Sequence, residues 1–168
     1  MVGRCCATLH CDFTVCPCRG LIVDAPETWQ ARNPDFESVV RSSFARQQHM
    51  ATLGAELRHV SPGHVHISAP FNTAFTQQNG YWHAGAVASI ADSASGYAAY
   101  SLAEAGTDVL AVEFKINLLA PARGESFVAE ASVVRSGRTL TVCRAEVFGI
   151  VGSTRSHVAT MLSTLVVR

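Results

Sequence analysis

The sequence predicts an α+β domain in which one antiparallel β-sheet wraps around a single long central α-helix. Two observations carry that prediction. The run of small residues from Ala84 to Ala103 is apolar nearly all round, so a helix made from it must be buried on most sides. Around it lie two strand-like segments upstream and four downstream, without the regular strand–helix alternation that a parallel sheet requires. A single curved sheet covers only part of such a helix, and self-association of two copies is the simplest way to cover the rest.

Each element follows from local pattern. Residues 1–33 lack periodicity and are read as a cysteine-rich leader without a fold of its own; Asn33-Pro34-Asp35 then signals the start of a domain covering residues 34–168. The first helix is expected to run through Phe36, Val39, Val40 and Phe44 toward Met50. Leu57 to Ser61 and His64 to Ala69 alternate in strand fashion about a Pro62-Gly63 turn, with Val65, Ile67 and Ala69 on one face. Gln77 to Trp82 reads as a loop leading into the Ala-rich helix, which is expected to end near Gly106. Four strands follow, Val109 to Leu119, Ser126 to Ser136, Thr139 to Gly149 and Thr154 to Val167, and Ser136-Gly137-Arg138 makes a tight reversal.

Composition narrows the function. The chain has 168 residues, 48% hydrophobic and 15% charged, which suits one globular domain. Thirteen basic residues balance thirteen acidic ones, leaving no electrostatic footprint for nucleic acid or an anionic membrane. The apolar run from Ala84 to Ala103 approaches membrane length, but Asp92 and four serines interrupt it, and Ala dominates it. It reads as a buried helix rather than a membrane span. Cys5, Cys6, Cys11, Cys16 and Cys18 crowd the leader and only Cys143 lies in the body, a distribution that suits neither a disulfide framework nor paired zinc ligands. A cytoplasmic protein with reduced thiols and no secretory signal is expected.

Asp92 is the residue in most need of explanation. It stands in an otherwise uncharged helix, with Gly85, Ala88, Ser89, Ser95, Gly96 and Ala99 at neighbouring helical positions, so large groups can approach it closely. No Lys or Arg on the helix pairs with it, and burying an ionised carboxylate without partners is costly. Either the carboxylate marks a site, or it is a solvated or capping Asp; unusual ionisable groups favour the former.

The order of elements, with His83-Ala84-Gly85 followed by Ile90-Ala91-Asp92, resembles the hotdog-fold thioesterases of the phenylacetate-degradation (PaaI) type. Those enzymes typically carry His-Gly-Gly at the helix start and an acid nine positions after the His, the spacing of His83 and Asp92. The run from Ala111 to Ala122 is also similar to the family's strand and turn, and the likeness extends from about residue 36 to the C-terminus. The resemblance implies hydrolysis of acyl-CoA thioesters by a homodimer or homotetramer, at a site shared between subunits and without cofactor or metal. Asp92 would act as nucleophile or general base, the Ala84 backbone amide as oxyanion donor where relatives carry Gly, and Gln77 as the amide that orients substrate or water. A hydroxyl that some relatives carry on the following strand would fall near Ala111, leaving Ser93, Ser95 or Thr107 as replacements.

The remaining candidates each have a plainer reading. His83, beside Gly85, either meets substrate or only braces the helix start. Tyr81 and Trp82 either wall an acyl pocket or anchor the loop in the core. Arg123, Arg135 and Arg138 either bind the phosphates of coenzyme A or are solvated turn residues. His64 and His66, with no nearby Cys, Asp or Glu in sequence, are read as the polar face of their strand rather than metal ligands. No Gly-x-Ser-x-Gly elbow is present. A hydratase would need a different His–acid arrangement; a non-catalytic acyl-CoA sensor is the alternative from another class.

Overall fold

A computed structural model describes residues 28–168. Of residues 1–33, read from the sequence as a leader, residues 1–27 with all five of its cysteines lie outside the described residues, whereas Trp29 packs against the core. Helices α1 (Phe36–Phe44) and α2 (Gln48–Thr52) precede the hairpin of β1 (Glu56–Ser61) and β2 (His64–Pro70). The central helix α3 (Ala84–Tyr100) follows, and then β3 (Val109–Leu118), β4 (Ser126–Ser136), β5 (Leu140–Val151) and β6 (Thr154–Val167). The six strands form one sheet in the order β1-β2-β4-β5-β6-β3, antiparallel at every pairing. Register shifts in four of the five pairings bend it around α3, since bulges add local twist and curvature.

The alternation in the sequence records which face meets the helix. Val65, Ile67 and Ala69 of β2 are buried as their spacing predicts, and Phe127, Ala129 and Ala131 of β4 continue the face, as do Cys143, Ala145 and Val147 of β5. Ile90, Ala91, Ala94 and Ala98 of α3 are fully buried against it. Burying a side chain the size of Ile90 contributes roughly 2–3 kcal/mol. Alanines on both surfaces keep the layers close. The buried Cys143 thiol is pushed up to about 12, so it packs as a small apolar group and not as a thiolate.

Three sequence expectations change. The predicted first helix breaks at Ala45–Gln47 into α1 and α2. Val40 and Met50 are both buried, yet ten residues at 3.6 per turn leave them roughly 80° apart on one helix, and the break resets the phase. The long helix ends at Tyr100 instead of near Gly106 because the Ser101 hydroxyl, fully buried, donates to the Ala98 carbonyl at 2.7 Å and accepts from Gly63 N–H at 2.8 Å. Ser95 and Ala99, assigned to the open stripe around Asp92, are buried in the core; the less covered stripe runs through Gly85, Ala88, Ser89, Asp92, Ser93, Gly96 and Tyr100. Asp92 is half-buried on that stripe, while Ser95, about 60° round the helix, and Ala99, about 20° round and two turns further on, lie in the core.

Trp29 closes one end of the core. Its indole N–H donates to the Val133 carbonyl at 3.3 Å, and its ring lies so close to Gly63 that a Cβ there would be 2.3 Å from Cδ1. Gly63 also has φ 75°, so two separate constraints require glycine at the β1–β2 turn. None of the helices among the described residues is long and apolar enough to cross a membrane.

Candidate active site

The start of α3 is built around His83. It occupies the N-cap position with extended backbone, and its Nδ1 accepts from Gly85 N–H at 2.8 Å. Its carbonyl accepts from Ala86 N–H at 2.9 Å and from Val87 N–H at 3.1 Å. The Ala84 amide is thus left without a hydrogen-bond partner among the described residues, at the end of the helix where free N–H groups and the dipole favour negative charge. Gly85 eases the cap, because a Cβ there would stand 3.0 Å from His83 Nδ1 and the ring would have to shift. The ring of His83 thus caps the helix, and it also lines a shallow groove with His49 and Ser89 apart from Ala84.

Ala84 lines a cavity of about 480 Å³ with Gln77, Tyr81, Val87, Leu118, Pro121 and Val158. Gln77 closes the loop before the helix: its N–H donates to the Tyr81 carbonyl, its carbonyl accepts from Gly80 N–H, both at 2.9 Å, and its Oε1 accepts from Asn79 N–H. Gly80, at φ 79°, makes that turn possible. The Arg123 guanidinium donates to the Tyr81 hydroxyl at 2.5 Å and sits 4.8 Å over its ring. The loop bearing Arg123 passes so close to β5 that a Cβ at Gly149 would lie 2.1 Å from the Arg123 carbonyl oxygen. Trp82 is 2% exposed and stacked on Phe127 with ring centroids 4.2 Å apart, which makes it a core anchor at the edge of this cavity.

Asp92 faces a different cavity, of about 370 Å³, lined also by Ser43, Arg46, Gln47, Ser93, Gly96, Tyr97, Tyr100, Asp108 and the first residues of β3. The carboxylate is half-buried, its Oδ1 has no hydrogen-bond partner, and burial raises its pKa. Tyr97 lies beside it on α3, its phenol also pushed up, chiefly by burial. Of the replacement hydroxyls, Ser95 is buried and donates to the Ala91 carbonyl, and Thr107 donates to the Glu104 carbonyl; Ser93 lines the cavity and donates to Gln47 Oε1 at 3.2 Å. Ala111 lines it too.

Within one chain, then, Asp92 and the Ala84–Gln77 pair stand in separate cavities. Eight residues of helix separate Ala84 from Asp92, about 12 Å along the axis. Arg138 lines neither cavity; it is exposed in the β4–β5 turn, which is tied to the end of β6 by Val167 N–H donating to the Thr139 carbonyl. Sequence reasoning missed Arg46, Gln47 and Asp108, which line the Asp92 cavity from other elements and carry no local motif. It also missed the acid beside His66: Glu130 is its cross-strand partner on β4, and the Arg155 guanidinium holds that carboxylate through two bonds of 2.9 and 2.8 Å, keeping it below the usual carboxylate range. No cluster of three or more metal-ligating side chains occurs among the described residues.

An antiparallel sheet curled around one long helix is the hotdog architecture. The family model of the thioesterase superfamily matches residues 79–153. A crystal structure of a thioesterase family protein from Silicibacter pomeroyi is 48% identical, with a TM-score of 0.77 over 79% of this chain and 97% of that one. The E. coli PaaI protein from the phenylacetic acid degradation operon shares the fold at a TM-score of 0.71 and 19% identity, over 81% of this chain and 95% of that one. Two Saccharolobus solfataricus proteins provisionally described as esterases are 31% and 30% identical, over 56% and 62% of this chain; the chain spans 66% and 69% of their lengths. The chain belongs to the thioesterase superfamily.

Proposed function

We propose that this protein hydrolyses acyl-CoA thioesters to a free carboxylic acid and coenzyme A, at a site completed by a second copy of the chain. The observation that carries the proposal is the placement of the two half-sites. The Asp92 cavity adjoins Val109, Leu110 and Ala111 at the start of β3, and the Ala84 cavity adjoins Leu118 and Leu119 at its end. Strand β3 is one of the two edges of the sheet, β1 being the other, and it exposes Val112 (59%), Phe114 (45%) and Leu118 (55%). A long apolar edge of that kind is a template for pairing. Two copies joined antiparallel through β3 about a two-fold axis set the start of one strand beside the end of the other, and so set Asp92 of each copy toward the Ala84 amide of its mate.

In that site the thioester carbonyl oxygen accepts from the Ala84 amide while Asp92 acts from across the interface. Gln77 supports the thioester or the water from the Ala84 side, and Arg123, bonded to Tyr81 of the cavity lining, meets the phosphates of coenzyme A. Arg138 has no part in the proposal. The acid provides an oxygen nucleophile directly or deprotonates a water; either route releases a thiol and a carboxylic acid.

The test is thiol release by the purified protein over short, medium, long and aromatic acyl-CoAs. Turnover that disappears in Asp92→Ala supports the reading. Tight acyl-CoA binding with no release in any member of the panel would make the protein a binder and not an enzyme.

A further inference from the structure

Gln47 is placed in an unusual way. It stands at the N-cap of α2, yet its side chain does not cap that helix; it reaches α3, where Oε1 accepts from Ser93 Oγ at 3.2 Å. Its backbone is fixed on both sides, the N–H donating to the Phe44 carbonyl at 3.0 Å and the carbonyl accepting from Ala51 N–H at 3.1 Å. With Oε1 committed to Ser93, the two N–H donors on Nε2 have no acceptor among the described residues. Gln47 and Asp92 line the same cavity. Two side chains that line one cavity thus each keep unused hydrogen-bonding capacity: Asp92, whose buried Oδ1 has no partner, and Gln47, whose Nε2 donors have none among the described residues.

We infer that Gln47, oriented by Ser93, holds the attacking water against Asp92, which makes the carboxylate a general base. The inference rests on the thioesterase reading above. The water accepts from Gln47 Nε2 and donates one hydrogen to Asp92, which leaves a lone pair for the thioester carbon. As the new C–O bond forms, the proton passes to Asp92; as the C–S bond breaks, that proton goes to the departing thiolate. No other reactant is needed. Ser93 is a positioning residue, acting through the amide it fixes, and it takes the place of the strand hydroxyl that Ala111 cannot supply.

The experiment compares Gln47→Ala, Gln47→Glu, Ser93→Ala, the Gln47→Ala/Ser93→Ala double variant and Asp92→Asn in the full chain, reading kcat and KM separately. Removing the donors in either Gln47 variant should lower kcat about 10- to 100-fold, the range for one positioned hydrogen bond to a reacting group, with KM little changed. Gln47→Glu keeps the side-chain length and the backbone bonds, so a packing defect in Gln47→Ala would not obscure the result. Ser93→Ala should lower kcat less, and the double variant should be no worse than Gln47→Ala alone, because Ser93 acts only through Gln47. Unchanged kcat in both Gln47 variants, or a rise in KM alone, while Asp92→Asn is inactive would overturn the assignment of Gln47 and leave the thioesterase reading standing. Full turnover in Asp92→Asn would overturn both.

Discussion

Burial holds the Asp92 carboxyl above its ordinary value because the ionised form gives up hydration that no hydrogen bond to Oδ1 replaces. A group whose pKa is raised on folding binds its proton more tightly in the folded state. Stability is therefore greatest with Asp92 protonated, and it declines as pH rises from the unfolded value through the raised folded value. The proposed mechanism needs the opposite, ionised form, so kcat/KM should fall as pH drops through that raised pKa, with its acidic limb above 3.8, the ordinary value for this side chain. Asp92→Asn removes the charge and keeps the shape. It should lower turnover by about two to four orders of magnitude, and its melting temperature should equal or exceed that of the wild type. A variant that melts well below wild type would show that the carboxylate is structural.

At the scale of elements, the first turn of α3 depends on one ring. With His83 Nδ1 on Gly85 N–H and the His83 carbonyl shared by Ala86 and Val87, the Ala84 amide is held in place and left free. His83→Ala removes the cap and should cost about 1 kcal/mol of stability, with a fall in turnover as the amide loses its fixed position. His83→Asn, which caps through a side-chain oxygen, should restore most of both. Chemical denaturation and thiol release on the three proteins check this; equal loss in both variants would mean that the ring itself meets the substrate. Trp29 acts on the opposite end of the molecule. Trp29→Ala removes a half-buried indole and its bond to Val133, so it should cost about 2 kcal/mol without changing KM.

Over the whole molecule, an unpaired edge strand and two incomplete cavities have one common remedy. If β3 is the seam, Phe114→Asp places a charge in its apolar centre, opposite its own counterpart. The variant should be monomeric in light scattering, keep its circular dichroism spectrum, and lose at least about 100-fold in turnover, since each catalytic half would then lack the other. A wild-type protein that is fully active as a monodisperse monomer would remove the shared-site reading.

Much of this architecture was legible in the chain before folding. Alternation in β2, β4 and β5 records which residues face the helix, the apolar character of Ala84 to Ala103 records that α3 is buried, and the spacing of His83 and Asp92 places both on one helix, at its cap and about two turns in. Such features survive in sequence because each depends on the helix or strand period alone. The break between α1 and α2, the end of α3 at Ser101, and the use of Trp29 do not, because each is decided by a distant partner: a buried Met50, the Gly63 amide, the Val133 carbonyl. Gln47 is the clearest case. Nothing beside it in the chain distinguishes it from Gln48, and it gains its place near Asp92 only when α1 and α2 fold onto α3 and bring Ser93 within reach. Sequence determined the fold and the acid, because periodicity and an unpaired charge are local; tertiary structure decided which atoms converge on that acid, because hydrogen-bond partners separated by 46 residues leave no periodic trace.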